Sequence, residues 1–490
     1  MSLSRIQFYK NSIWTFLELT SYPLLVILST PFFISKIGIE QYGLWMLINT
    51  ITLGINVLNI GVGDTSISLI SKFRANNNTD AIKKVFRFNF SFAIFLCLAA
   101  ALLGGIFYSS NFIALFYKKE NLAFAGLLLF LGCVSVGIKF IEIAILSVFK
   151  AFERFDINSK LQCLSKCSVI ITALLLCSFG EGLISILISG IIVNLFNIGI
   201  QLFCLFRFKH ELLQWPDLQF LKHRTDYLKY NLWYWLQSSI ALFGFLTDKL
   251  AVAWFADVKT MGYYYIASMI GTNIHNFFLS FGAFIFPRAS YELQAKNNIF
   301  PLYFVSRAII AIIGWLIILG LILGGDFLFQ LWLGPETYLQ SIFFIKLYLV
   351  FEAGMLLIIT PFYFNNSSHL IKLNSLFEIL IRSSHFIFML LGHYYYGING
   401  ILYGLILSTF INIPFQYYTF HKLILNIRNF SWLLVLLPVA FLLAYIISTS
   451  NVFKLIYLVT FFISIKFIYF DAAKPYIANF GIFRKVKSPI

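Results

Sequence analysis

Long apolar runs separated by short polar connections extend along almost the whole chain. A helix needs about 20 apolar residues to cross roughly 30 Å of hydrocarbon. On that rule the pattern predicts about fourteen membrane-spanning helices. Their expected ranges are 12–34, 43–68, 86–107, 122–147, 161–179, 183–206, 231–256, 263–286, 302–325, 339–361, 371–391, 397–419, 431–448 and 452–470.

The composition agrees with this pattern. Of the 490 residues, 60% are hydrophobic and 11% are charged, whereas a soluble protein carries about 25% charged residues. Because the bilayer core offers no water to the backbone, such a chain must satisfy its amide groups within helices. We therefore predict an all-α polytopic membrane protein whose first apolar run is a retained span rather than a cleaved signal.

Two stretches of the chain match each other when the sequence is shifted by 219 positions. The shift places Gly43 on Gly262 and Trp14 on Trp233, and it sets Glu18 against Gln237. It also equates Lys10 with Lys229, Leu17 with Leu236, Ile55 with Ile274 and Gly63 with Gly282. Six spans separate the copies, so both begin on the same side of the membrane. The repeat predicts two six-helix bundles related by a pseudo-two-fold axis along the membrane normal, with a substrate site between them.

The repeat and the loops together predict the domain boundaries. We expect an N-terminal six-helix bundle over 1–206, a cytoplasmic linker over 207–227 and a C-terminal six-helix bundle over 228–422. Residues 423–490 then form two extra spans, interpreted as peripheral packing, and a basic tail. The formal net charge is +16, and the basic residues concentrate in alternate connections, which the positive-inside rule assigns to the cytoplasm. Both termini are therefore expected to be cytoplasmic, and the charge requires no nucleic-acid partner.

Motifs for enzymatic chemistry are missing from the sequence. It contains no glycine-rich phosphate loop with its lysine, and no Ser/His/Asp set is recognisable. Cys163 and Cys167 are four residues apart, but no histidine or carboxylate accompanies them at metal-ligand spacing, so packing cysteines are favoured over a metal site. No cofactor and no metal is predicted.

Ionisable groups inside the spans are the informative residues. On insertion scales each costs roughly 2.5–3.5 kcal/mol at the centre of a helix, so each is expected to face a wet interior or a partner. In span 1, polar side chains fall on one helical face, and span 7 repeats the pattern. These side chains are Asn11, Trp14, Glu18, Tyr22 and Ser29 in span 1, and Trp233, Gln237, Asp248 and Lys249 in span 7. They predict either a shared central cavity or polar contacts between helices.

Further candidates lie in spans 2, 8 and 10. They are Asn56, Asp64, Asn273, His275, Arg288 and Lys346. His275 fits a satisfied core histidine or a proton shuttle, and Arg288 fits a ligand or a snorkelling anchor. Two further pairs stand one helical turn apart and are interpreted as self-neutralising: Lys139 with Glu142, and Glu378 with Arg382.

Several short motifs carry a resemblance to a known family. They are residues 37–45 (IGIEQYGLW), 58–63 (LNIGVG), 150–155 (KAFERF), 247–250 (TDKL) and 285–288 (IFPR). In their order and spacing they resemble the polysaccharide flippases of the multidrug/oligosaccharidyl-lipid/polysaccharide exporter superfamily, most closely the O-antigen (Wzx-type) flippases. The lipid II flippases of this superfamily have cavity arginines contributed partly by span 1. Here span 1 offers Glu18 and no arginine, which argues against that branch.

The resemblance implies a transporter rather than an enzyme. Its expected activity is to move an undecaprenyl-diphosphate-linked oligosaccharide from the cytoplasmic to the periplasmic leaflet of a bacterial inner membrane by alternating access, coupled to H⁺ or Na⁺. Membrane lipids, and the polymerase and chain-length machinery of the same pathway, are the further expected partners. Two alternatives remain open, a multidrug antiporter of the same fold and a membrane-embedded glycan polymerase or acyltransferase.

In this scheme each candidate residue has an expected role. The diphosphate is expected to bind Lys249, Arg288 and Lys346. The sugars are expected to meet Trp14, Asn56, Trp233 and Asn273. The coupling ion is expected to bind Glu18, Asp64 and Asp248.

Overall fold

The structure, a computed structural model, describes residues 5–59, 63–117, 121–209, 211, 224–294, 298–368, 371–420, 432–471 and 473–474. All regular elements in this described part are helical. The α-helices are α1 (Arg5–Gly54), α2 (Asp64–Ala75), α3 (Thr79–Ser109), α4 (Leu122–Ala151), α5 (Phe155–Ser178), α6 (Leu183–Lys209), α7 (Arg224–Phe255), α8 (Val258–Gln294), α9 (Phe300–Leu333), α10 (Pro335–Ser367), α11 (Ile371–Phe420), α12 (Leu437–Ile447) and α13 (Asn451–Ile465).

Two of these helices join predicted spans at a glycine: α11 contains spans 11 and 12, and α1 contains span 1 and the first part of span 2. The predicted range of span 2, 43–68, extends beyond α1 through a 3₁₀ turn at Ile55–Leu58 and ends within α2. Within α1 the backbone leaves helical geometry at Gly38, where φ is 79°. Within α11 the same happens at Gly397, where φ is 62°. Positive φ is a conformation that glycine adopts at little cost and other residues rarely adopt. These glycines therefore make the turns between spans 1 and 2 and between spans 11 and 12.

The lengths and the hydropathy of the described helices are those of a membrane-spanning protein. Nine helical stretches in the described part of the chain are long and apolar enough to cross a bilayer. Two of the nine, Thr20–Leu58 and Leu373–Tyr417, are the bent pairs, so the nine account for eleven of the predicted spans. The other three predicted spans correspond to α7, α8 and the shorter apolar helix α12. The prediction of an all-helical, multi-pass membrane protein is confirmed.

The chain divides into two compact units, and the first extends from Met1 to Tyr265. Within it, α3 packs along α4, α1 packs along α5, and α6 packs against both α4 and α5. A buried apolar cluster from α2, α3, α4 and α6 holds this unit together; it includes Ile70, Phe86, Ile145, Phe149 and Leu205. The cluster occupies one side of α4, which leaves another face of that helix available for a cavity.

Two glycines that the 219-residue shift equates come into contact inside this first unit. A Cβ atom on Gly43 of α1 would collide with the carbonyl oxygen of Val258 and approach the amide of Gly262. A Cβ atom on Gly262 would lie 2.9 Å from the carbonyl oxygen of Ile39. Because real side chains do not approach backbone this closely, α1 and the first turns of α8 can cross at this distance only with glycine at both positions.

The second unit extends from Ile266 to Ile490. Its centre is α10, which packs against α9 and α11. Trp315 of α9 donates Nε1–H to the carbonyl of Ala353 of α10 at 2.8 Å. Helix α12 contacts α10, and a π-helical segment after α13, Lys466–Phe470, contacts α9. Tyr469 of that segment is fully buried against Trp315, with ring centroids 4.8 Å apart. The two extra spans therefore reach the core of this unit, beyond the peripheral packing expected from the sequence.

Candidate functional site

The first unit encloses a cavity of about 1150 Å³. Its walls come from α1, α4, α5, α6 and α7, with Gly63 and Ile67 near the start of α2 and Tyr265 from α8. Polar side chains are distributed over these walls and include Asn49, Asn56, Asn59, Gln162, Asn194 and Ser239. A volume of this size exceeds the roughly 300–1,000 Å³ of ordinary small-molecule pockets, so the cavity has room for a large polar ligand.

The charge of the described cavity lining is positive. Three lysines line it, Lys139 and Lys150 from α4 and Lys166 from α5, together with one carboxylate, Glu142 from α4. Three positive charges and one negative charge leave a formal excess of +2 on these walls. The α4 residues recur at helical spacing, because positions 139, 142, 143, 146 and 150 fall on one face of an α-helix. A ligand bound here meets an anion-attracting surface.

Lys139 has an exposed side chain although it lies deep within a spanning helix. It stands 17 residues after Leu122 and 12 residues before Ala151, the two ends of α4. At about 1.5 Å per residue it is roughly 18 Å from the nearer end. An ammonium group at that depth requires water or an anionic partner. The exposure of Lys139 therefore indicates that the cavity is open enough to admit water at this depth.

The two carboxylates associated with the cavity are held by neighbouring helices. Glu142 accepts a hydrogen bond from Nε2 of Gln201 on α6, at 2.8 Å. Glu18 of α1 lies behind the wall, and its Oε1 is 3.4 Å from Nζ of Lys166. The side chain of Glu18 is 11% exposed, whereas that of Lys166 is 38% exposed. Lys166 therefore contacts both the buried carboxylate and the open cavity.

Aromatic side chains form another part of the wall. They come from α1, α7 and α8: Tyr22, Phe33, Tyr42, Trp45, Trp235 and Tyr265. Several of them fix one another edge to face; the rings of Phe33 and Trp45 are 5.0 Å apart, and those of Tyr42 and Tyr265 are 6.3 Å apart. Trp235 donates Nε1–H to the carbonyl of Val57 at 2.8 Å. Such rings offer apolar faces together with polar edges, which suits contact with sugar rings.

The predicted candidates of span 1 and span 2 lie at or near this cavity. Asn56 lines it, and so do Tyr22 and Ser29 of the predicted polar face. Glu18 reaches it through Lys166. Trp14 is half-buried on the same helix, with Nζ of Lys160 4.7 Å from its ring centroid. The side chains of four candidates lie outside the described part of the structure: Asn11, Asp64, Trp233 and Gln237.

Asp248 and Lys249 of α7 are buried but are not among the described residues that line the cavity. Nζ of Lys249 lies 3.3 Å from Oδ1 of Asp248 and also donates to the carbonyl of Phe245 at 2.9 Å. The hydroxyl of Tyr264 donates to Oδ2 of Asp248 at 2.8 Å. The two opposite charges therefore satisfy each other inside the helix packing.

The remaining candidates belong to the second unit. Nδ1 of His275 is 3.1 Å from Oε2 of the buried Glu352, and Asn273 lies half-buried two residues earlier on α8. Arg288 is exposed and forms an ion pair with Glu292. Lys346 of α10 pairs with Asp326 of α9 at 2.7 Å. The expected pair of Glu378 and Arg382 is also present, at 3.2 Å.

Sequence reasoning did not select the lysines that line the cavity. Lys150 appears in the sequence only as the start of the motif at 150–155, Lys166 carries no sequence signal of its own, and the spacing of Lys139 and Glu142 indicates a self-neutralising pair. The signal that identifies the two lysines of α4 is a charged stripe, in which Lys139, Glu142 and Lys150 share one face of an otherwise apolar helix.

Comparison with known proteins agrees with this architecture. The chain is similar to a lipid II flippase, MurJ, in an inward closed conformation, with a TM-score of 0.70 and 15% identity over 94% of this chain and 99% of that chain. It is also similar to an inward-facing multidrug resistance MATE family transporter of the MOP superfamily, with a TM-score of 0.64 and 14% identity over 83% and 98% of the two chains. A MOP superfamily transporter from Pyrococcus furiosus gives a TM-score of 0.63 and 13% identity over 85% and 96%. At these identities the likeness shows a shared fold and no more.

The sequence itself shows the family. The chain matches no curated protein. Residues 37–342, more than half of its length, match the family described as polysaccharide biosynthesis protein. This range covers the motif at 37–45 and most of the described cavity-lining residues, whereas the cavity residues of α1 before position 37 lie outside it. The chain belongs to the polysaccharide biosynthesis protein family.

Proposed function

We propose that this protein is a flippase for a polyprenyl-diphosphate-linked oligosaccharide. It carries the sugar head group from the cytoplasmic to the periplasmic leaflet of a bacterial inner membrane while the polyprenyl tail stays in lipid. The two like-oriented bundles expected from the 219-residue repeat open alternately to each side. The observation that carries the proposal is a large polar cavity with an excess of positive charge, formed by membrane-spanning helices.

The free-energy cost of the uncatalysed process explains why such a cavity is needed. Each hydroxyl moved from water into hydrocarbon without a hydrogen bond costs roughly 2–7 kcal/mol. A head group of several sugars and a charged diphosphate therefore does not cross a bilayer spontaneously at a useful rate. Polar side chains such as Asn49, Asn56, Gln162 and Asn194 replace the hydrogen bonds lost from water.

The lysines are suited to the diphosphate. Lys139 and Lys150 lie on one face of α4, 11 residues apart, which corresponds to about 16 Å along the helix axis. Lys166 approaches the same space from α5. Ammonium groups at successive depths let a phosphate exchange one positive partner for the next as the head group moves. The three partners expected from the sequence, Lys249, Arg288 and Lys346, form ion pairs with Asp248, Glu292 and Asp326, respectively.

The aromatic part of the wall is suited to the sugars. Pyranose rings present C–H groups that pack on aromatic faces, and they present hydroxyls that pair with polar edges. Trp45, Trp235, Tyr42 and Tyr265 supply both kinds of surface. The same cavity therefore offers a cationic region for the phosphates and an aromatic, amide-rich region for the glycan.

A deletion strain tests the proposal. We expect loss of the surface glycan together with accumulation of its lipid-linked repeat unit in the inner leaflet, both restored by the wild-type gene. A triple variant, Lys139→Met, Lys150→Met and Lys166→Met, should reach the membrane in normal amounts but fail to restore export. Surface glycan that persists in the deletion strain, with reduced drug tolerance instead, would favour the multidrug antiporter. Covalent turnover of the repeat unit by the purified protein would favour the polymerase or acyltransferase.

A further inference from the structure

Lys166 occupies a position between a buried acid and an open, anion-attracting cavity. Its Nζ is 3.4 Å from Oε1 of Glu18, which is longer than the roughly 2.7–2.9 Å of a tight charge-assisted hydrogen bond. Its side chain is 38% exposed, and it lines the cavity. Lys166 therefore makes a loose pair with Glu18 and keeps part of its charge available to a ligand.

Glu18 is in the opposite situation. Only 11% of its side chain is exposed, and it lies on α1 where that helix packs along α5. A carboxylate in such a place depends on its counter-ion, because an isolated buried charge is strongly disfavoured. Any ligand that draws Lys166 away leaves Glu18 to be neutralised in another way.

We propose that Lys166 exchanges Glu18 for the diphosphate of the substrate, and that Glu18 takes up a proton when this exchange occurs. Substrate entry is thereby coupled to proton uptake, and release of the diphosphate returns Lys166 to Glu18 and expels the proton. This inference rests on the proposed function and assigns its coupling step to one pair of side chains. It distinguishes Glu18 from Asp248, which retains Lys249 and Tyr264 as partners away from the described cavity lining.

The other titratable groups near the pair have partners that the exchange leaves in place. On α4, Glu142 is bonded to Gln201, and Lys139 is close enough to Lys166 for their charges to repel. Repulsion of this kind favours transfer of Lys166 to an incoming anion. On α5, Lys160 lies over Trp14 and the thiol of Cys163 contacts both Ser21 and Cys167. On α1, the ring of Tyr22 lies 6.0 Å from Nζ of Lys166. The described residues of α6 and α7 that line the cavity add no further titratable group.

The test measures ligand binding and proton uptake together. The full chain is placed in nanodiscs of phosphatidylcholine, and farnesyl diphosphate is titrated by calorimetry in two buffers of different ionisation enthalpy, with farnesol as the uncharged probe. We compare the wild type with Glu18→Gln and with Lys166→Met. Glu181→Gln is the matched control, since this exposed acid bonds to Ser185 outside the cavity lining. The double variant Glu18→Gln with Lys166→Met removes both charges. It therefore leaves no single unpaired charge that could prevent folding.

We expect the wild type and Glu181→Gln to take up about one proton more per bound diphosphate than Glu18→Gln does. Glu18→Gln should bind several-fold more tightly, because Lys166 is no longer held by a carboxylate. Lys166→Met and the double variant should bind more weakly than the wild type. Equal proton uptake by the wild type and Glu18→Gln, or unchanged affinity in Glu18→Gln, overturns the exchange alone. If the wild type prefers farnesyl diphosphate no more than farnesol, the anion site of the proposed function fails, and the exchange fails with it.

Discussion

Replacing Lys139 by methionine tests the cationic wall with little change in shape. The substitution keeps a long, flexible side chain but removes a positive charge from the middle of α4. Because methionine is easier than lysine to place in a spanning helix, the variant should fold and insert at least as well as the wild type. A loss of function can then be attributed to the missing charge.

The expected loss follows from Coulomb's law. Two unit charges 4 Å apart attract by about 1 kcal/mol in water and about 4 kcal/mol at an effective dielectric constant near 20. Lys139 is exposed to a polar cavity inside a spanning helix bundle, so its contribution should lie between these limits, at roughly 1–3 kcal/mol. At 1.4 kcal/mol per factor of ten, diphosphate affinity should fall by about fivefold to 150-fold.

The assay is the binding of farnesyl diphosphate to the purified chain in nanodiscs, with glycan export in the complemented deletion strain as the cellular readout. Lys160→Met is the matched control, because Lys160 is an exposed lysine on α5 that lies over Trp14 and is not among the described cavity-lining residues. It should bind within about twofold of the wild type. If Lys139→Met also binds within twofold, the assignment of the α4 stripe to the diphosphate is refuted.

Three further substitutions test the packing. Gly43→Val places a side chain against the backbone of Val258 and should lower the free energy of unfolding by about 1–3 kcal/mol. Gly105→Val is the control, because a side chain at Gly105 would meet open space. It should have little effect on thermal unfolding in detergent. Gln201→Leu removes the donor to Glu142 and should lower the free energy of unfolding by about 1–3 kcal/mol. Adding Glu142→Leu to this variant should recover most of that stability. If the two substitutions instead lower the stability additively, the pairing is contradicted. Trp315→Phe loses the bond to a buried carbonyl and should cost about 2 kcal/mol, measured by the same unfolding assay; an unchanged melting temperature would contradict it.

The fold was predictable because hydrocarbon imposes a length on every helix. Apolar runs of about 20 residues therefore identified the spans, and the described helices follow them closely. The connections were less predictable. Between spans 1 and 2 the sequence suggested a loop near 34–43, whereas the structure has helix on both sides of a single bend at Gly38. A glycine can end a helix or turn it, and local sequence does not distinguish the two outcomes.

The site was only partly predictable because pairing depends on distant residues. Local spacing suggested that Glu142 would neutralise Lys139, and the two charges do attract each other. It did not reveal that Glu142 also accepts a hydrogen bond from Gln201, 59 residues later. Asp248 and Lys249 were candidates because charge is rare within spans, yet they pair with each other. Intramembrane charge therefore predicts a polar cavity in general terms, whereas the direction in which each side chain faces follows only from the three-dimensional packing.

The contact between Gly43 and Gly262 has a consequence for how this chain can diverge. The two residues are counterparts in the predicted internal repeat, and each lies where the other's segment passes. A methyl group added to either copy pushes on the opposite helix, so neither position can change size alone. Duplicated segments usually drift apart independently. Here the two copies share one steric requirement, because both must keep a small residue where their segments cross.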